Sequence, residues 1–391
     1  MKGNFIYSNP TKIYFGDEAQ LHLEEALRPF GKKVLLVYGG GSIKRNGIYE
    51  DVVSALTKAE KTVVELNGVM ANPTLAKLEE GRDLARKENV DFILAVGGGS
   101  VIDYAKAVSV SAWFDGNAWE NFWVNLNEPS LDQKLIPVGA VLTMSGTGSE
   151  MNGGSVITNT ETKLKLTKVF GERVMPKFAI MNPRYTFSLP HNQMVAGIYD
   201  SFSHVMEQYF SDDEIESTSD YIAEGLMRSI IASSLVAVKD PTNYEARSNL
   251  MWAATWALNT MIGRGKKQDW MPHMIGKAIS AHTDAIHGMT LSAIAKAYYS
   301  YVSPFGLKRF ADFARNVWAI PSENKTVEQL AAEGIEALEN WICRIGAVNN
   351  ITALGVDADM IPAIADSTLL NGGGFTNLER SDVIKILKAS L

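Results

Sequence analysis

The rhythm of hydrophobic and polar positions changes about halfway along the chain. Up to about residue 190, short unbroken apolar runs alternate with longer amphipathic stretches; beyond it, only helical periodicity remains. Lys33 to Tyr38, KVLLVY, reads as a strand buried on both faces, and GGGS at Gly39 to Ser42 is the turn after it. A helix to about Ala59 follows, then a strand at Thr62 to Leu66 and a helix from Thr74 to Glu88. A strand at Phe92 to Val96 ends in a second GGGS, Gly97 to Ser100. Residues 2–16 predict a short extended pair, with a helix from Glu18 to Leu27 behind it. After the second glycine cluster come a helix, an aromatic loop with Trp113, Trp119 and Trp123, and a strand from Leu135 to Val141 entering TMSGTGSE. From Asn192 onward, Ala, Met, Leu and Ile recur at helical spacing to the C-terminus. Alternating strands and helices with short connections imply a parallel sheet wound in right-handed crossovers, with ligands at the carboxyl ends of its strands. The expected fold is therefore an α/β N-terminal dinucleotide-binding domain over residues 1–187, followed by an all-α C-terminal domain over residues 188–391.

Composition narrows the classes of function. With 391 residues, 46% of them hydrophobic, the chain is long enough for two cores, and no apolar run approaches membrane-spanning length. A net charge of −7 argues against a broad nucleic-acid surface, so any phosphate site must be local. The single cysteine, Cys343, excludes an internal disulfide and a cysteine metal site, and its neighbours Trp341 and Ile342 predict a packed thiol. The first residues lack the apolar core and cleavage pattern of a signal peptide, so a cytoplasmic location is expected.

The chemistry concentrates in Trp270 to Gly288, WMPHMIGKAISAHTDAIHG, which holds three of the six histidines. As one unbroken helix, this stretch would separate His273 from His287 by about 21 Å, too far to share an ion. A chain reversal at His282-Thr283-Asp284 would bring them together. His282 and His287 would lie about 140° apart on a helix, so only one is expected to be a ligand. His287 is preferred because Gly288 permits close backbone approach. A partner set appears in GIYDSFSHVMEQYF, where Asp200 and His204 lie four residues apart on one helical face. Three imidazoles and a carboxylate form a nitrogen and oxygen set suited to Fe²⁺ or Zn²⁺ with room for a further ligand. Each of these histidines also has a plain reading as a hydrogen-bonded core residue.

The second glycine cluster, GGGSVIDYAK, follows a strand and opens a helix, so its amides can face a pyrophosphate. In the first, GGGSIKR, Ser42, Lys44 and Arg45 stand where a carboxylate would recognise an unphosphorylated ribose. That arrangement favours NADP(H) over NAD(H). TMSGTGSE offers hydroxyls suited to phosphate or carboxamide contacts, and the lysines of ETKLKLTK read by default as a solvated face.

Taken together, NPTKIYFG, YGGGSIKRNG, AVGGGSVIDYAK, LTMSGTGSEMN, YDSFSHVMEQY, DWMPHMIGKAISA, DAIHG and LKRFADFARNVW resemble the iron-containing alcohol dehydrogenases, and span essentially the whole chain. Within that family the likeness is to butanol dehydrogenases and broad aldehyde reductases that generally use NADPH. The resemblance implies a dehydroquinate synthase-like architecture and a small aldehyde or alcohol substrate, and a homodimer is expected. It matches Asp200, His204, His273 and His287 to the metal ligands. Gly40, Gly41 and Ser42 match the adenosine-ribose loop, and Gly98, Gly99, Ser100 and Asp103 the pyrophosphate and ribose loop. Thr143, Thr147 and Asn152 fall on positions lining the nicotinamide, and Lys165 on a cofactor lysine. Many relatives carry a second histidine four residues after the third ligand; here that residue is Lys277, which would either relay a proton or orient the cofactor. A lyase or cyclase of the dehydroquinate synthase kind would need several basic residues near the ligands, and the helical half has few. A nucleotide sensor would not need an electrophilic ion.

Overall fold

The structure is a computed structural model, and it describes residues 3–125, 131–211 and 216–391. It divides into two compact units, Ser8–Leu189 and Met1–Tyr7 with Pro190–Leu391. Residues 3–7 thus group with the helical unit.

The Ser8–Leu189 unit is built on a parallel sheet. Its strands are β1 (Lys12–Phe15), β2 (Lys33–Tyr38), β3 (Thr62–Leu66), β4 (Phe92–Gly97), β5 (Val138–Leu142) and β8 (Phe178–Met181), in the order β1-β8-β5-β4-β2-β3. The helices α1 (Leu23–Leu27), α2 (Ser42–Arg45), α3 (Ile48–Lys58), α4 (Leu75–Lys87) and α5 (Gly99–Ser111) connect them. Alternate strand residues such as Leu36, Leu94 and Ile180 form one core with Leu23, Leu27, Val52 and Leu56 of α1 and α3. The intervening Leu35, Val37, Ile93 and Ala95 are equally buried, which is why the runs 34–37 and 92–96 carry no polar side chain. Thr74 caps α4, its hydroxyl accepting from Lys77 N at 3.2 Å.

Three expectations need correction here. Among the described residues up to 16 there is no extended pair: β1 is a single strand whose partner is β8, far along the chain. The aromatic loop contains a wide helical turn, Trp119–Val124, with Trp119 and Trp123 stacked at 6.4 Å. ETKLKLTK is a solvated face only in part: Lys163 is exposed, but Lys165 and Lys168 lie in a separate antiparallel hairpin of β6 (Gly154–Asn159) and β7 (Leu164–Val169). There Lys165 is buried, donating to Asn72 Oδ1 at 2.7 Å.

The second unit carries the helices α6 (His191–Tyr209), α7 (Thr218–Ala237), α8 (Tyr244–Ala257), α9 (Met271–Thr283), α10 (His287–Val302), α11 (Leu307–Asn316), α12 (Val327–Ile345), α13 (Ile361–Ser367) and α14 (Arg380–Ala389). From Met194 to Tyr209, α6 is buried on every side, with α7, α8 and α10 packed against it. The reversal expected at His282-Thr283-Asp284 is present: α9 ends at Thr283 and Asp284 takes a left-handed conformation, φ 57°. Cys343, expected to be packed, is exposed on α12. Among the described residues no helix is long and apolar enough to cross a membrane.

Candidate metal centre and dinucleotide loops

The reversal sends α10 back alongside α9, and α10 crosses α6 closely. A Cβ on Gly288 would lie 2.0 Å from the carbonyl oxygen of Ala196, so only glycine permits this crossing. Asp200 and His204, one turn apart on α6, therefore meet His273 near the start of α9 and His287 at the start of α10. The Nε2 atoms of His204, His273 and His287 lie 3.7, 3.6 and 4.0 Å from Asp200 Oδ1. The edge of a tetrahedron with metal bonds of about 2.1 Å measures about 3.4 Å. The first two separations thus fit an ion with little adjustment, and His287 sits slightly outside. Asp200, His204 and His273 form the tight, fully buried part of the set. His282 is directed elsewhere, with Nε2 3.0 Å from Ser367 Oγ.

Buried polar atoms normally find partners, yet Asp200 Oδ1 and His273 Nε2 have no hydrogen bond. Two inward-facing orphans, among imidazole rings stacked at 4.6 Å and crossed at 5.0 Å, are the arrangement a cation would satisfy. Burial alone would raise the Asp200 pKa, but the imidazoles of His204, His273 and His287 outweigh it and hold the carboxyl well below its ordinary range. Burial opposes protonation of His273, yet Glu207 and Asp200 together raise its pKa. The pocket therefore favours positive charge.

Sequence reasoning missed Glu207, although its place three residues after His204 in an apolar run was the available sign. Behind it stands Asp269, whose backbone N–H donates to Glu207 O at 2.9 Å. Its carboxylate accepts from Met271 N at 3.0 Å and Tyr298 Oη at 2.5 Å, and burial pushes its pKa up to about 6. Lys277, one turn after His273 on α9, is also buried.

In the other unit, the chain leaves β2 for β3 on one side and returns to β4 on the other, so the crevice expected at a topological switch point lies between β2 and β4. Both glycine clusters emerge there, because Tyr38 is in register with Val96, and Thr143 N bonds Gly97 O at 3.0 Å beside them. Nothing lies within 4 Å of where a Cβ on Gly40 or Gly41 would be, and Ser42 begins α2. Gly98 caps the N-terminus of α5; at Gly99 a Cβ would meet Thr147 Oγ1 at 2.2 Å, so this glycine lets the 143–152 loop close onto the helix. Ser100 Oγ donates to Ala71 O at 2.6 Å.

Asp103, expected at a ribose, is buried and already engaged. It accepts from Ser149 Oγ and, at 3.1 Å, from Val156 N, and a ribose would have to share those oxygens. Its partner Lys106, 0% exposed, was another residue sequence reasoning missed. The Lys106 ammonium lies 3.5 Å from Asp103 and donates to Ser149 O, Asn152 O and Asn152 Oδ1 at 3.0, 3.2 and 3.3 Å. Burial pushes the Asp103 pKa up and that of Lys106 down, each against the attraction of the other. Also unforeseen was Glu65 near the end of β3. It accepts from Tyr38 Oη at 2.5 Å and from Tyr49 Oη, and lies 3.4 Å from Lys44 Nζ. Lys44, read as a phosphate contact, is thus already paired.

The family model described as iron-containing alcohol dehydrogenase matches residues 10–183, and its C-terminal companion matches residues 194–391. The chain belongs to the iron-containing alcohol dehydrogenase family. It is 41% identical to the probable NADH-dependent butanol dehydrogenase 1 of Bacillus subtilis (strain 168), over 99% of this chain and 100% of that one. It is 36% identical to the NADPH-dependent aldehyde reductase YqhD of Escherichia coli (strain K12), over 97% and 96%. The crystal structure of NADH-dependent butanol dehydrogenase A from Thermotoga maritima superposes with a TM-score of 0.92 at 38% identity, covering 99% of this chain and 98% of that one. By its family the protein is an alcohol dehydrogenase, an oxidoreductase. The iron of the family's name fits the donors present, since the two buried orphan atoms belong to a carboxylate and an imidazole that both accept it.

Proposed function

We propose that this chain catalyses reversible hydride transfer between a nicotinamide dinucleotide and primary alcohols or aldehydes, in the manner of a butanol dehydrogenase, with Asp200, His204, His273 and His287 holding a divalent ion. The ion is Fe²⁺ on family grounds, and the same donors accept Zn²⁺. The observation that carries the reading is the convergence of three imidazoles, those of His204 and His273 buried, on the buried Asp200 Oδ1. When bound, the ion supplies Lewis acidity toward a carbonyl oxygen and the nicotinamide carries the hydride.

The chain's own residues do the rest. Asp200, kept ionised, would offset part of the ion's charge, and the imidazoles, two of them buried, would fix its position. The amides at the start of α5, after Gly98, are proposed to face a pyrophosphate. Thr143, Thr147 and Asn152 are proposed to line the nicotinamide, with Asn152 held by Lys106 and by its own bond to Gly148 O at 2.9 Å. Lys277 is proposed to position cofactor or substrate, since one helical turn places it on the His273 face of α9.

For the cofactor, Ser42, Lys44 and Arg45 favour NADP(H), and Glu65 is the counterweight that leaves NAD(H) acceptable. A 2′-phosphate would have to share Lys44 with that carboxylate. A panel of straight-chain aldehydes with NADPH and with NADH tests the proposal when metal content is measured on the same sample. Turnover of short primary aldehydes with one ion per chain is expected; no oxidation of either cofactor by any aldehyde would overturn it.

A further inference from the structure

We infer that Glu207 is the positioning residue that sets the tautomer and aim of His273 as a metal ligand, an inference that rests on the metal reading above. Glu207 and His273 are 1% and 4% exposed, so neither can exchange this partnership for water. Glu207 Oε1 lies 2.5 Å from His273 Nδ1, and Oε2 accepts the backbone N–H of the same residue at 3.1 Å. One carboxylate therefore grips both the ring and the main chain of His273. Ser203 Oγ donates to Oε1 at 2.6 Å and fixes the carboxylate in turn, while the Glu207 carbonyl accepts from Asp269 N at 2.9 Å at the approach to α9.

The consequence is chemical. A neutral imidazole carries its proton on one nitrogen and its lone pair on the other. With the carboxylate accepting at Nδ1, the proton stays there and the lone pair is left on Nε2, which faces Asp200 Oδ1 at 3.6 Å. The negative partner also makes Nε2 a stronger donor toward a cation. His273, held at both its ring and its main chain by one carboxylate, is the ligand this device serves. Placement on α6 explains the economy of the arrangement: Asp200, His204 and Glu207 share one face at helical spacing, so a single helix supplies two ligands and the group that orients a third.

Glu207→Gln is the test. Glutamine has the same shape but offers one acceptor and one donor where the carboxylate offers two acceptors. One of the two N–H groups of His273 must then lose its bond. The expected result is metal affinity weakened by roughly 10–100-fold in chelator competition with Zn²⁺. The melting temperature of the metal-free protein should stay close to the parent's, because a buried charge is removed together with a bond. A merely structural role predicts the opposite, a lower metal-free melting temperature with affinity unchanged. As a measurement independent of any variant, ¹⁵N-histidine-labelled parent loaded with Zn²⁺ should show one exchange-protected imidazole proton on an Nδ1. Equal Zn²⁺ affinity of parent and Glu207→Gln overturns this role and leaves the metal centre standing, as does absence of the protected Nδ1 proton. A parent that binds no ion overturns both.

Discussion

Replacing Gly288 by alanine separates the two things this glycine does. The added Cβ would stand 2.0 Å from Ala196 O, and an ordinary carbon to oxygen contact is about 3.3 Å, so α10 must move from α6 by about 1.3 Å. Overpacking of this kind typically costs about 1–3 kcal/mol, and up to about 1 kcal/mol returns because alanine favours a helix over glycine. The metal-free protein should therefore lose at most about 3 kcal/mol. The effect on the metal should be much larger. His287 precedes Gly288, its Nε2 is already 4.0 Å from Asp200 Oδ1, and metal bonds tolerate shifts of only about 0.2 Å. A displacement near 1 Å removes that ligand, and the account predicts a loss of affinity of roughly 10²-fold or more, beyond what lost outer support produces. Chelator competition with Zn²⁺ beside thermal melts of the metal-free protein reads both quantities. Parental metal affinity in Gly288→Ala would refute the reasoning, since the close crossing would then not be what sets the fourth ligand.

Lys277→Met should raise KM for cofactor or substrate and leave the pH profile of kcat unaltered. A loss of kcat of about 10²-fold with disappearance of an ionisation would make Lys277 a proton donor instead. Asp269 titrates near pH 6 in the fold against about 3.9 in an unfolded chain, so the folded state binds the extra proton and stability falls as pH rises from about 4 through about 6. Asp269→Asn should remove most of that slope, worth about 3 kcal/mol, and melts of parent and variant at pH 5 and pH 8 with equal differences would contradict it. Glu65→Gln should free Lys44 and raise the ratio of kcat/KM for NADPH over NADH; an unchanged ratio would mean that the Glu65 carboxylate does not act on the 2′ position.

Much of this was legible because it depends on local spacing. The unbroken runs of β2 and β4 could only be buried strands, Thr74 announced α4, and Asp200 with His204 needed only helical geometry. The reversal after Thr283 followed from the impossibility of joining His273 and His287 along one helix. What escaped depends on partners distant in sequence. Lys165 in KLKLTK carries no sign of burial, since that is decided by Asn72 some ninety residues earlier and by the β6–β7 pairing. β1 could not be paired without knowing that β8 closes beside it. Glu65 lies on the strand after the first glycine cluster, and meets Lys44 only through the parallel pairing of β2 with β3. Glu207 was within reach of spacing alone, but a carboxylate serving a ligand looks, in sequence, like any polar residue on a helix.

The most direct test of the central claim is a titration of chelator-treated, metal-free protein with Fe²⁺ under anaerobic conditions while following reduction of a short aldehyde. The account predicts no turnover at the start, a linear rise to one equivalent per chain, and a plateau beyond it, with no rise at all in His204→Ala. Full turnover by the metal-free protein, or equal restoration in His204→Ala, would contradict it.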